Sequence, residues 1–225
     1  MSKQIMTLLL VGSPKGSSSA SLSLGNSLLK KLEENGSLTD KEFVYKLIRK
    51  DDGQIRLLSK VDNADLIILS FPLYIDCLPA GVIKALELIR DHRKSMQNPK
   101  NQMFAVIINC GFPENQHNFI AAKICEIFAK DVGFNWKGAL TLGMGGFIAG
   151  RGLKDVGGMA KNINLGFDIA ATALAKDDMI PEEAIELVGK KIMPYTLYTK
   201  AGNLGWNSQA KKFGARKKMK DRPYL

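Results

Sequence analysis

Three short, nearly unbroken apolar runs, at 6–11, 66–71 and 103–108, recur along this chain with helical patterns between them. A strand apolar at almost every position has both faces buried, which requires helices above and below its sheet. Between 19 and 35, Leu22, Leu24, Leu28, Leu29 and Leu32 recur at helical spacing, and Gly36 follows as a stop. Further helices are expected over 54–61, 80–90, 115–131 and 159–175, with Ile120, Ile124, Ile127 and Phe128 sharing one face of the third. A weaker strand is placed at 42–47 and a fifth at 136–142. This alternation predicts a doubly wound α/β fold: a five-stranded parallel sheet in the order 2-1-3-4-5, with helices on both faces.

The 225 residues suit one domain, assigned to 1–178, and a helical extension, assigned to 179–225 and opened by Pro181. Net charge is +10 and uneven: residues 190–225 hold ten lysines and arginines against Asp221 alone. Such a tail could seek phosphates on nucleic acid, anionic lipid or a phosphorylated cofactor, but a solvated helix face is preferred over any specific polyanion partner. The three cysteines, Cys77, Cys110 and Cys125, are too scattered for a disulfide framework or a metal pair, which points to a reducing cytoplasm. No apolar run approaches the ~18 residues of a membrane span, so no membrane association is expected.

In an open α/β sheet, ligands bind beyond the carboxyl ends of the strands, where the strand order reverses. Three unusual loops fall there. Gly12-Ser13-Pro14-Lys15-Gly16-Ser17-Ser18-Ser19-Ala20-Ser21 leads into a helix. Helix N–H groups, serine hydroxyls and a partial positive charge together suit a phosphate monoester. Capping alone would need one serine, not four. Pro72-Leu73-Tyr74-Ile75-Asp76-Cys77-Leu78-Pro79 is a stiff loop carrying an aromatic, able to hold a flat ring without reorganising. Asn109-Cys110-Gly111-Phe112-Pro113 combines a glycine for close backbone approach with Phe112 as a cover.

The stretch Gly12-Ser13-Pro14-Lys15 followed by Ser17-Ser18-Ser19 resembles the phosphate loop of the NAD(P)H-dependent FMN reductase family, whose members are flavodoxin-like flavoproteins. Pro72-x-Tyr74, with Pro79 and Lys84 beyond it, resembles that family's flavin-ring loop, and the likeness covers about residues 5–150. It implies that Ser13, Lys15, Ser17, Ser18 and Ser19 contact the FMN phosphate. It also implies that Pro72, Leu73, Tyr74 and Ile75, with Asn109, Cys110, Gly111 and Phe112, line the isoalloxazine ring. The fourth-strand loop departs from the family's glycine- and hydroxyl-rich pattern. The activity implied is hydride transfer from NAD(P)H to FMN and on to a small acceptor (a quinone, nitro or azo compound, flavin or metal ion) in a homodimer or homotetramer. No catalytic side chain is required. A flavodoxin-type electron carrier is the alternative; such carriers are usually acidic, and this chain is basic. The basic tail, with Trp206, Phe213 and Tyr224 among its charges, is expected to dock and to favour NADPH over NADH.

Other chemistries are excluded by spacing. A phosphatase loop needs an arginine six residues after a cysteine, where this chain has Ile83, Gln116 and Asp131. Ser17 stands where a Walker loop needs its second glycine, and a dinucleotide G-x-G-x-x-G fails at Ile148 and Asp155. His92 and His117 have no metal-ligand spacing, and no cysteine cluster exists for iron and sulfur. The glycine run at 143–158 reads as a flexible loop after the fifth strand.

Overall fold

A computed structural model describes residues 4–148 and 150–222; Tyr224 of the basic tail lies outside the described residues. The sheet has five parallel strands in the order β2-β1-β3-β4-β5, the flavodoxin-like arrangement. They are β1 (Met6–Val11), β2 (Leu38–Phe43), β3 (Leu66–Pro72), β4 (Met103–Asn109) and β5 (Asn135–Leu142). The helices are α1 (Ala20–Glu34), α2 (Val44–Leu47), α3 (Asp51–Asn63), α4 (Ala80–Ser95), α5 (Phe119–Asp131), α6 (Lys161–Leu174), α7 (Glu182–Gly189) and α8 (Tyr195–Lys212). No helix among the described residues is long and apolar enough to cross a membrane.

The unbroken apolar strands feed two cores. Leu9 and Val11 of β1 join α1, α6 and α7 on one face, while Leu8 and Leu10 join α3, α4 and α5 on the other. Side chains of a strand alternate between faces, so a strand between two helical layers must be apolar at every position. The connection β1–α1–β2 runs to one edge and β3 returns to pair with β1. The chain therefore reverses direction between β1 and β3, and a crevice opens above that point.

The second strand lies four residues earlier than its expected place at 42–47. Leu38 pairs with Met6 and Phe43 with Val11, while Val44–Leu47 turns helical. β2 is an edge strand in which polar Thr39, Asp40 and Lys41 suffice, so no apolar run marks it. Glu42 is buried there against the Arg56 guanidinium, Nε to Oε1 2.9 Å. The fifth helix also differs. Asn115–Asn118 is a 3₁₀ turn, and α5 buries Ala121, Cys125 and Ala129 rather than its isoleucines. Ile120 is 64% exposed, and Ile124 and Ile127 are exposed with it.

The chain divides into two compact units, 1–192 and 193–225. The first reaches beyond the boundary expected at 178/179, because Ile180, Ala184 and Val188 are buried in its core and α7 packs on α6 and β5. The second is α8 and a short 3₁₀ turn, and no residue of α8 is buried.

Candidate functional site

Helix α1 begins where Ser19 caps it. The Ser19 hydroxyl accepts from the Leu22 N–H at 3.1 Å and donates to the Gly16 carbonyl at 2.7 Å. Ala20 and Ser21 are the first two helical residues, and their N–H groups have no acceptor within the helix. Both line a cleft of 160 Å³ above the switch point. At one end stand Ser13, Lys15 and Ser19; at the other stand Pro72, Leu73, Tyr74, Asn109, Cys110 and Gly111. Nine of the thirteen expected site residues thus meet in one place.

The other four lie outside the cleft lining. Ser17 lines a separate groove of 470 Å³ along the outer face of α1, beside Lys30, Arg151 and Lys154. That groove is larger, but it is not at the switch point, and its cations are accompanied by Glu34 and Asp155. Ser18 is exposed, and its hydroxyl donates to the Lys15 carbonyl at 3.1 Å. Ile75 is 99% exposed. Phe112 is exposed and packs at a tilt of 33° against His117, 4.3 Å between ring centroids.

The serines that line the cleft also hold the loop. Ser13 accepts from the Lys15 N–H at 3.4 Å, and Ser21 accepts from Asn109 Nδ2 at 2.9 Å. Each is buried and keeps a hydroxyl proton to donate. Asn109 Nδ2 also donates to the Phe71 carbonyl at 3.1 Å, so its side chain braces β4 against α1 and β3.

The ring-side loop is a tight hairpin. Tyr74 and Cys77 exchange two backbone hydrogen bonds, 2.9 and 3.1 Å, around Ile75 and Asp76, whose φ values are +49° and +55°. Asp tolerates that left-handed conformation; a β-branched isoleucine adopts it at a cost of about 1–3 kcal/mol. Burial pushes the Tyr74 phenol up from its ordinary value. Burial likewise raises the Cys110 thiol, so Cys110 stays protonated, its Sγ 3.7 Å from the Phe112 carbonyl and 3.6 Å from that of Glu114. Cys110 is part of the loop's frame rather than a nucleophile.

A fourth segment joins the site. Gly145 and Gly146, after β5, line the cleft. The Met144 N–H donates to the Phe112 carbonyl and the Gly145 N–H to that of Cys110, both at 2.7 Å. A Cβ on Gly145 would lie 2.8 Å from Asn109 Oδ1, so only glycine permits this approach. This part of the glycine run, expected to be flexible, is the stitched rim of the cleft. Its signal in the sequence was Gly143-x-Gly145-Gly146 directly after a strand. Ala20 and Ser21 were visible as the start of the helix.

No family model matches this sequence, and no curated protein does. Solved structures do. The chain is similar to the FMN-dependent NADH-azoreductase from Bacillus anthracis str. Ames Ancestor in complex with FMN, at 14% identity and a TM-score of 0.53 over 76% of this chain and 100% of that one. It is similar to the azoreductase from Bacillus anthracis str. Sterne at 14% identity and a TM-score of 0.52, over 77% and 100%. A match to the rubredoxin oxygen:oxidoreductase of Desulfovibrio gigas spans 60% of this chain and 29% of that one, at 15% identity and a TM-score of 0.46. The likeness is one of fold.

Proposed function

We propose that the cleft binds FMN and that the chain is an NAD(P)H-dependent oxidoreductase acting on a small electron acceptor. The observation that carries this reading is the convergence, at one crevice, of the open N-terminus of α1 with the rigid loops after β3 and β4. The Ala20 and Ser21 N–H groups, the Ser13 and Ser21 hydroxyls and the Lys15 ammonium form a donor set for a phosphomonoester. A volume of 160 Å³ is below the ~300–1,000 Å³ of small-molecule sites, so the cleft holds the phosphate, by Ser13, Lys15 and Ser19, and the inner part of the flavin, and the ring extends past Tyr74 and Gly111 toward Ile75 and Phe112. The bound flavin supplies the hydride-accepting and hydride-donating chemistry. The chain's own contribution is to bind, orient and shield. Asn109 fixes Ser21, the Tyr74–Cys77 hairpin holds the aromatic loop, and the Gly145 rim closes the side.

Self-association is part of the proposal. Tyr74 and Phe112 on the loops, and Phe119, Ile120, Ile124 and Ile127 on α5, are all exposed, which is much apolar surface for one subunit to leave uncovered. A homodimer or homotetramer would cover it. The test of function is titration of the purified protein with FMN and riboflavin, followed by anaerobic addition of NADPH. FMN should bind at least tenfold more tightly, and NADPH should bleach it. Equal affinity for riboflavin sinks the phosphate assignment; tight FMN binding without bleaching identifies an electron carrier instead.

A further inference from the structure

The second unit has a composition unlike the first. Residues 193–225 hold eight of the 32 lysines and arginines and one of the 22 carboxylates, which gives +7 of the net +10. Charge and apolar groups are separated along it. Residues 195–206 include Tyr195, Leu197, Tyr198, Leu204 and Trp206 with Lys200 as the one charge. Residues 211–222 then pack seven cations against Asp221 alone. At 100° per residue, Thr196, Thr199, Lys200, Asn203 and Asn207 fall on one narrow stripe of α8. Up to Trp206, the tyrosines, leucines and Trp206 share the remaining, wider face with Ala201, Gly202 and Gly205; beyond it, Ser208, Gln209 and Lys212 close that face. Trp206 is 68% exposed and Phe213 77%.

We propose that this unit docks on an anionic phospholipid surface. A wide face of leucine and amphipathic aromatics, followed by a polybasic cluster, is the pattern that seats a helix at the headgroup boundary. A second copy of the chain is a poor occupant on charge grounds, because each copy brings +7 here and +3 on residues 1–192. Nucleic acid is favoured by the cations and by the rings of Tyr195, Tyr198, Trp206 and Phe213, but Leu197, Leu204 and Met219 have no ring to stack on bases and suit an acyl boundary instead. Six of the eight cations are lysines, point charges suited to a diffuse layer of headgroups.

The full-length protein is sedimented with vesicles of phosphatidylcholine alone and with vesicles containing phosphatidylglycerol. Partition should favour the anionic vesicles at least tenfold and fall as salt is raised. Trp206 emission should shift to the blue on binding, read against a Trp206→Phe variant because Trp136 also emits. At about a fivefold loss per lysine, Lys217→Ala/Lys218→Ala/Lys220→Ala should weaken partition about 100-fold. These lysines are exposed, so circular dichroism of the variant should be unchanged in the first unit. Absence of pelleting, equal pelleting with neutral vesicles, or tighter binding to a DNA oligonucleotide than to the anionic vesicles overturns the proposal.

Discussion

Helices α1 and α5 carry the same kind of sequence signal and meet opposite fates. Both show large aliphatic residues at helical spacing. In α1 those residues, Leu22, Leu24, Leu28, Leu29 and Leu32, are the buried face. In α5 the buried face is Ala121, Cys125 and Ala129, and the isoleucines at 120, 124 and 127 point away from the sheet. Periodicity shows that a helix has an apolar side. It does not show which molecule that side is for. Small residues against the sheet let α5 approach β4 and β5 closely. Its isoleucines remain on the surface because the cluster of Phe104, Phe134, Trp136 and α5's own Phe128 already fills that core.

The contrast can be broken by truncation. Leu28→Ala should cost about 2–5 kcal/mol in denaturant unfolding, the range for a buried leucine that leaves a cavity. Ile124→Ala, measured at a concentration where the protein is monomeric, should cost under about 1 kcal/mol. Equal losses would mean that α5 is a core helix like α1. Charging the stripe sharpens the same contrast: Ile120→Asp/Ile124→Asp should lower the mass seen by light scattering to that of one protomer and leave the monomer folded. A wild-type protein that is already monomeric would mean that self-association is not why the isoleucines are exposed.

The two ends of the cleft differ in a similar way. The serine end is held by its own hydrogen bonds, whereas the aromatic end is strained and exposed at Ile75. Gly145→Ala, which forces a methyl group against Asn109, should disturb both ends and weaken FMN binding by about 1–3 kcal/mol, read by fluorescence titration. Ile75→Gly should do the reverse to the scaffold. Relief of the left-handed isoleucine raises stability by about 1 kcal/mol, measured as a shift in the denaturation midpoint. A lowered midpoint would show that contacts of Ile75 outweigh its backbone.

The smallest effect expected is on pH dependence. Burial raises the Cys110 and Cys125 thiols above their ordinary value of 9.0, so the folded protein holds protons that the unfolded chain releases. Stability from this source is complete below about pH 9 and declines as pH rises through the raised values. Cys125→Ala should flatten that alkaline decline. Iodoacetamide should label half-buried Cys77 well before Cys110 or Cys125. Early labelling of Cys110 would contradict its place in the loop's frame.

The strand order, both cores and the position of the cleft were legible in the residues, because a strand buried on two faces leaves a continuous apolar run and its loops must end at the sheet's carboxyl edge. The edge strand β2 was not, since one protected edge needs few apolar groups. The glycines after β5 were visible, but their contact with Asn109 spans 36 residues and depends on how β4 and β5 pair. The serine loop showed what chemistry was present. The cap at Ser19 is local, its partners Gly16 and Leu22 being three residues away, whereas only the tertiary structure decided that Ser21 is held by Asn109 and that Ser17 faces another groove, because those partners lie far away in the chain.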